Sequence, residues 1–159
     1  TTPQAAALKT LEGGIYDSAA GERDTTWATT AEVLPADGGE AGAAFLAKVQ
    51  AMAAAIKAKD PDAAAIAGGD WGAAVLGATD YAGKPVPLEL RKRKLRAQGT
   101  RMLVDARVLG GWRKGATAVL VIEGTNGVGN IVRGAQLMEL ADGTWTDAGK
   151  DVIEFPPPA

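Results

Sequence analysis

The period of the sequence changes at residue 100, and that change bounds what the chain can fold into. Before it, apolar residues recur at helical spacing. After it, they come in short blocks divided by turn dipeptides. In residues 40–59, "EAGAAFLAKVQAMAAAIKAK", Phe45, Val49, Met52 and Ile56 recur at spacings of four, three and four. That spacing lines one face of a 3.6-residue helix. Lys48, Gln50, Lys57 and Lys59 take the other face, and the alanines add helix propensity and permit close packing. Asp60-Pro61-Asp62 then reads as a new start: an Asp cap, a proline at the first helical position and an acid facing the dipole. The short helix "PDAAAIA" stops at Gly68-Gly69. "DWGAAVLGATDYAGKPVP" follows as a loop or broken helix, and "PLELRKRKLRAQG", 87–99, resumes helix with Leu88 and Leu95 one heptad apart.

Beyond residue 100, "TRMLVDARVLGGW", "GATAVLVIEGT", "NIVRGAQLMEL" and "TWTDAGKDVIEF" predict four strands. "AVLVI" is apolar at consecutive positions, which predicts a strand covered on both faces. Asn126-Gly127 and Asp142-Gly143 are dipeptides that accept the positive φ of tight hairpins. Ahead of the helices, a short helix is expected around Ala5 to Leu11 and a strand in "TTWATTAEVL", 25–34. Helices followed by a meander predict an α+β domain, with the helices packed in a curved antiparallel β-meander, a cone-like sheet. Residues 1–39 form an N-terminal extension able to join that sheet, 40–155 the cone-like domain, and 156–159 a Pro-rich tail.

Chemistry is narrowed by two absences. The 159 residues contain no histidine and no cysteine. That excludes Ser-His-Asp and Cys-His nucleophile systems, along with thiolate and histidine metal sites. What remains must rest on carboxylates, Lys, Tyr or an oxygen-liganded cation, and neither metal nor cofactor is expected. The net charge of -2 supplies no general attraction to nucleic acid, which is not an expected partner. No uninterrupted apolar run approaches the ~20 residues of a transmembrane helix. The chain starts at Thr1, as it would after loss of Met or of a targeting peptide. With the lack of cysteine, this points to an exported, periplasmic or extracellular protein, and otherwise to a cytoplasmic one.

From residue 40 onwards the chain resembles the nuclear-transport-factor-2-like superfamily, in particular small exported bacterial domains of that type. Such domains run as a long helix, a turn with Asp, a short helix, an intervening helix and a meander. "LAKVQAMAAAIKAKDPDA" resembles the helix pair and "WRKGATAVLVIEGT" the strand after a polar hairpin. Gly134 to Thr146, "GAQLMELADGTWT", resembles the closing phrase of the meander. The resemblance implies a cone open at one end, used for ligands, enzyme sites or partners. Its isomerases and dehydratases use Asp, His or Tyr inside the cone. None of these carries over: His is absent, and Tyr16 and Tyr81 lie outside the matching strands.

Several stretches bear on function. "EGTNGVGNIVRG", 123–134, has the glycine spacing of a phosphate loop at Gly124 and Gly129, but Asn130 and Ile131 replace the required Lys and hydroxyl. It reads as a hairpin turn. "LRKRKLR" places Arg91, Lys92, Arg93, Lys94 and Arg96 together, either as a partner-binding face for anions or as a solvated helix face. Asp60, Asp62 and Asp70 suggest an oxygen-liganded cation but lack the spacing of a calcium loop, and Asp60 and Asp62 read as helix caps. Asp105, Glu123 and Glu139 on predicted strands are candidate bases if buried, with Arg107 and Arg133 as expected salt partners. Trp27, Trp71, Trp112 and Trp145 line either a pocket or the core. Together these predict a non-catalytic binding domain for a small apolar ligand or a protein partner. Its pocket is expected at Phe45, Val49, Met52, Ile56, Trp71 and Trp112. Two alternatives stay open: a structural subunit of a homomeric assembly, and a carboxylate-based isomerase or hydro-lyase.

Overall fold

The computed structural model of the protein describes residues 2–17, 21–147, 150 and 152–155. In chain order these form α1 (Pro3–Glu12), β1 (Ile15–Asp17), β2 (Glu22–Asp24), α2 (Trp27–Thr30), β3 (Glu32–Val33), α3 (Gly39–Ala58), α4 (Pro61–Ala67), α5 (Gly69–Leu76), α6 (Leu88–Gly99), β4 (Leu103–Lys114), β5 (Thr117–Asn126), β6 (Ile131–Ala141), β7 (Thr144–Thr146) and β8 (Ile153–Glu154). The protein is α+β, with an antiparallel sheet that is not closed. The strand order is β3-β4-β5-β6-β7, and β8 pairs with β6 off that path. The Pro-rich tail at 156–159 lies outside the described residues. The chain divides into two compact units. One comprises Thr1–Ala43, Arg107–Glu123 and Arg133–Ala159, and the other Ala44–Ala106 with Gly124–Val132.

The first unit is organised around Leu11, Ile15, Trp27, Val119 and Ala135, with Trp112, Leu137 and Phe155 packed against them. α1 starts where Thr2 accepts a hydrogen bond from Ala5 N at 3.2 Å and Pro3 occupies the first turn. It buries Ala7 and Leu11. β5 buries every residue from Ala118 to Ile122, as its unbroken apolar run predicts. β6 turns into β7 through Asp142 and Gly143, both at positive φ, the geometry their dipeptide predicts.

"TTWATTAEVL" is not a strand throughout. Trp27 is buried, and the Thr29 and Thr30 hydroxyls donate to the Thr26 carbonyl. These local bonds hold one helical turn in place of extended chain. Glu32 and Val33 pair with the sheet, opposite Arg113 and Trp112, and Leu34 N donates to Gly111 O at 2.9 Å. "TWTDAGKDVIEF" is likewise two strands. β7 pairs Thr144 to Thr146 with Ala141 to Glu139, and β8 pairs Ile153 with Ala135. Between them Lys150 N donates to Asp147 O at 2.9 Å. The β1–β2 hairpin, with Ile15 opposite Asp24, carries too few apolar residues to be read from sequence.

Asp24 anchors that hairpin. It pairs with Lys114 on β4 and accepts from the Thr26 N–H at 2.9 Å and hydroxyl at 2.6 Å. Lys114 donates to the same hydroxyl at 2.6 Å. The Lys114 hydrogen bond, followed by those from Thr26, lowers the Asp24 pKa from 3.8 to about 2.

The second unit holds most of α3 and all of α4, α5 and α6. Its core is Met52, Ala55, Ala64, Leu76 and Leu95, with Ile56, Trp71, Val75 and Met102 against them. α3 ends in a left-handed residue, Lys59 at φ 55. Asp60 N donates to Ala55 O and Lys59 N to Ile56 O, the paired bonds of a Schellman stop. Asp60 then caps α4, accepting from Asp62 N and Ala63 N at 3.1 Å each. α3 has the length and composition of a membrane span, but alanines supply that hydropathy and Glu40, Lys48 and Lys57 interrupt it. Its stripe of Phe45, Val49, Met52 and Ala55 is buried. There is no clear transmembrane segment among the described residues.

Arg91 ties three helices together. Its side chain is buried. Nε donates to Leu76 O, the last carbonyl of α5, at 2.9 Å, and Nη2 to Asp62 Oδ1 on α4 at 2.6 Å. α6 therefore buries Arg91, Leu95 and Gly99, one residue per turn. Leu88 stays half exposed, so the expected Leu88–Leu95 stripe is not the inward face. The guanidinium satisfies a helix-end carbonyl that has no intrahelical donor.

Two outcomes follow. Arg91→Met should destabilise the fold by about 1–3 kcal/mol, the cost of a buried carbonyl left unbonded. Asp62→Asn should cost under ~1 kcal/mol, because that carboxylate is largely exposed. Urea unfolding measures both, and equal losses would contradict the account. For Asp24, a depressed pKa means stability present above pH about 4 and lost as pH falls through about 2. The melting-temperature advantage of the native chain over Asp24→Asn should close across that window, and a gap independent of pH would contradict it.

Candidate functional site

A cavity of about 650 Å³ opens in the second unit. It is lined by Ile56 and Lys59 at the end of α3, by Lys92, Leu95, Arg96, Gly99 and Thr100 on and after α6, by Val104 on β4, and by Gly127 in the β5–β6 turn. Small-molecule sites span roughly 300–1,000 Å³, so the size suits a small organic ligand.

Each wall follows from local sequence. Because Arg91 and Leu95 face inward, Lys92 and Arg96 fall together on the adjacent stripe, four residues apart. Gly99 closes α6 without a side chain, beside the Ile56 methyls. Lys59 reaches the cavity from the left-handed stop of α3.

The glycine loop completes the wall, and its geometry differs from expectation. Positive φ falls at Gly129, φ 86, and not at Asn126-Gly127. The turn is closed by Gly129 N donating to Asn126 O and Asn126 N to Asn130 O, both at 3.0 Å. The Asn126 side chain accepts from Val128 N at 3.1 Å and Asn130 N at 3.0 Å. An Asn that bonds its own turn replaces the two-residue hairpin. Gly127 is required for another reason: a Cβ there would overlap the Gly99 carbonyl oxygen. The turn's backbone lies directly against the end of α6.

Of the residues expected to line a pocket, Ile56 does so. Phe45, Val49 and Met52 are buried. Trp71 packs on the core of the second unit, and Trp112 belongs to that of the first. In the basic run, Arg91 is engaged inside the helical unit and is not offered to a partner. Lys92 and Arg96 line the cavity, while Arg93 and Lys94 are exposed. Lys59, Gly99, Thr100, Val104 and Gly127 were not singled out as ligand contacts from sequence. The glycine loop gives a signal for Gly127 alone; Lys59, Gly99, Thr100 and Val104 have none in the sequence.

The carboxylates have other partners. Glu123 is gripped by Arg107 Nη2 and Arg133 Nε, each at 2.6 Å. Arg133 first and Arg107 second lower its pKa. A general base working near neutral pH needs its pKa raised, so this environment disfavours that use. Asp105 is exposed, and Glu139 lies 3.8 Å from Lys150. Asp60 caps α4 and Asp62 holds Arg91. Trp145 stacks beneath the Arg113 guanidinium at 5.1 Å.

No protein-family model, curated protein or solved structure matches the chain.

Gly127→Ala should destabilise by about 1–3 kcal/mol, because backbone on the far side cannot yield as a flexible side chain would. Gly129→Ala meets open space and should cost only the ~1 kcal/mol of a left-handed residue. Urea unfolding of the two variants compares them. A larger loss at Gly129 would contradict this account of the turn.

Proposed function

We propose that the protein is a non-catalytic binding domain that holds a small, largely apolar molecule in the cavity beside α6. The observation that carries this is the wall itself: Ile56, Leu95, Val104 and bare glycine backbone around a space of about 650 Å³. Apolar lining with a few polar groups is what ligand sites offer. Glu123, held low by two arginines, weighs against the carboxylate isomerase or hydro-lyase. Kinship with the nuclear-transport-factor-2-like superfamily is part of the proposal. The succession of α3, α4, α5 and α6 before the meander β4 to β7 supports it.

Assembly from identical copies is the second reading, favoured by exposed aliphatic residues on short outer strands, Val33 on β3 and Ile153 on β8. Strands only two residues long are poor templates for pairing, so ligand binding is preferred. Light scattering separates them: the binding reading expects a monomer at dilute concentration.

The neutral probe N-phenylnaphthylamine should brighten on saturable binding at one site per chain. Val104→Phe, which adds bulk inside the cavity, should weaken it by at least about tenfold while the melting curve stays cooperative. Unsaturable binding, or unchanged affinity in the folded variant, would reject this site.

A further inference from the structure

The geometry points to a ligand with a charged end: a free single-chain anionic amphiphile, of which a fatty carboxylate is the simplest case. Its head would lie among Lys59, Lys92 and Arg96 and its tail along Ile56, Leu95 and Val104. This inference rests on the binding-domain reading and names the ligand class of the same cavity.

Every charged residue lining the cavity is a cation, although the whole chain is net acidic at -2. Among the described residues, neither Lys59 nor Arg96 has a carboxylate within ion-pair distance. Lys92 has only Glu89, at 3.9 Å, whose side chain is 84% exposed. Such an exposed pair at long range is weak and leaves Lys92 free to engage another anion. Three cations, one just past the end of α3 and two on α6, thus border one apolar space, with only the exposed Glu89 near any of them. An ammonium or guanidinium beside a half-dry wall gains most from a carboxylate or phosphate that brings its own apolar body.

Lys59 adds an independent argument. It occupies the left-handed position of a Schellman stop, where glycine is the usual residue because a side chain is strained there. The chain keeps a lysine in that position, at φ 55, and the side chain lines the cavity. A left-handed side chain at a cavity wall motivates the reading that Lys59 contacts what the cavity holds.

The test is displacement of bound N-phenylnaphthylamine by dodecanoate and by dodecanol, both below micelle concentration. Dodecanoate should displace it at a concentration about tenfold or more below dodecanol, and added salt should narrow the difference. Lys92→Gln/Arg96→Gln should remove most of the preference, weakening dodecanoate several-fold more than dodecanol. Lys59→Gly should raise the melting temperature while weakening dodecanoate, a pair of opposite effects that a purely structural lysine would not produce. Equal potency of the two competitors in the native chain would overturn the anionic head and leave the apolar cavity standing. Failure of both would overturn the cavity reading and this inference with it. Co-sedimentation with phosphatidylglycerol vesicles distinguishes the source of the anion. Protein remaining in the supernatant supports a free amphiphile, and protein in the pellet would overturn it in favour of a membrane surface.

Discussion

The buried Arg91 guanidinium governs the helical unit. It bonds the last carbonyl of α5 and a carboxylate in the first turn of α4, so α6 is fixed in rotation about its own axis. Everything that matters at the cavity follows from that rotation. Leu95 and Gly99 turn inward, and Lys92 and Arg96 come to the wall. A cation in an apolar setting is stable only when its donors are used, and here a helix end supplies the acceptor that needed one. The ion pair alone would only break even against an apolar residue, but the Leu76 carbonyl that Arg91 also satisfies would be left unbonded by one.

The first unit shows the same economy of polar groups at its margins. Its apolar cluster is built by α1, Trp27 and β5. Charged residues sit at its periphery in satisfied groups: Asp24 with Lys114 and Thr26, and Glu123 between Arg107 and Arg133. Both carboxylates are held ionised by their partners. Glu123 is a counter-charge across neighbouring strands of the main sheet, whereas Asp24 links the two-stranded β1–β2 sheet to β4.

Much of the fold was legible because periodicity is strong where elements are long. The Phe45–Ile56 spacing, the Asp60-Pro61 start and the continuous apolar run of β5 each dictate one element. Short pieces were not legible. Trp27–Thr30 has the composition of a strand, yet threonine hydroxyls bonding back to Thr26 and burial of Trp27 decide for a helical turn. The site was only half visible. Arg91 looks like its basic neighbours in the sequence, and only its three-dimensional partners separate it from Lys92 and Arg96. Gly127 was recognised as turn chemistry, whereas its constraint is the nearby carbonyl of Gly99, a contact between residues far apart in the chain.

On the proposed reading, α6, held by Arg91, presents a basic-rimmed apolar cavity to an anionic amphiphile. Amide chemical shifts recorded during a dodecanoate titration test it most directly. The account predicts saturable shifts concentrated at Ile56, Lys59, Gly99, Thr100, Val104 and Gly127. Shifts that instead fall on Val33, Ile153 and other exposed apolar positions, with those six unmoved, would contradict it.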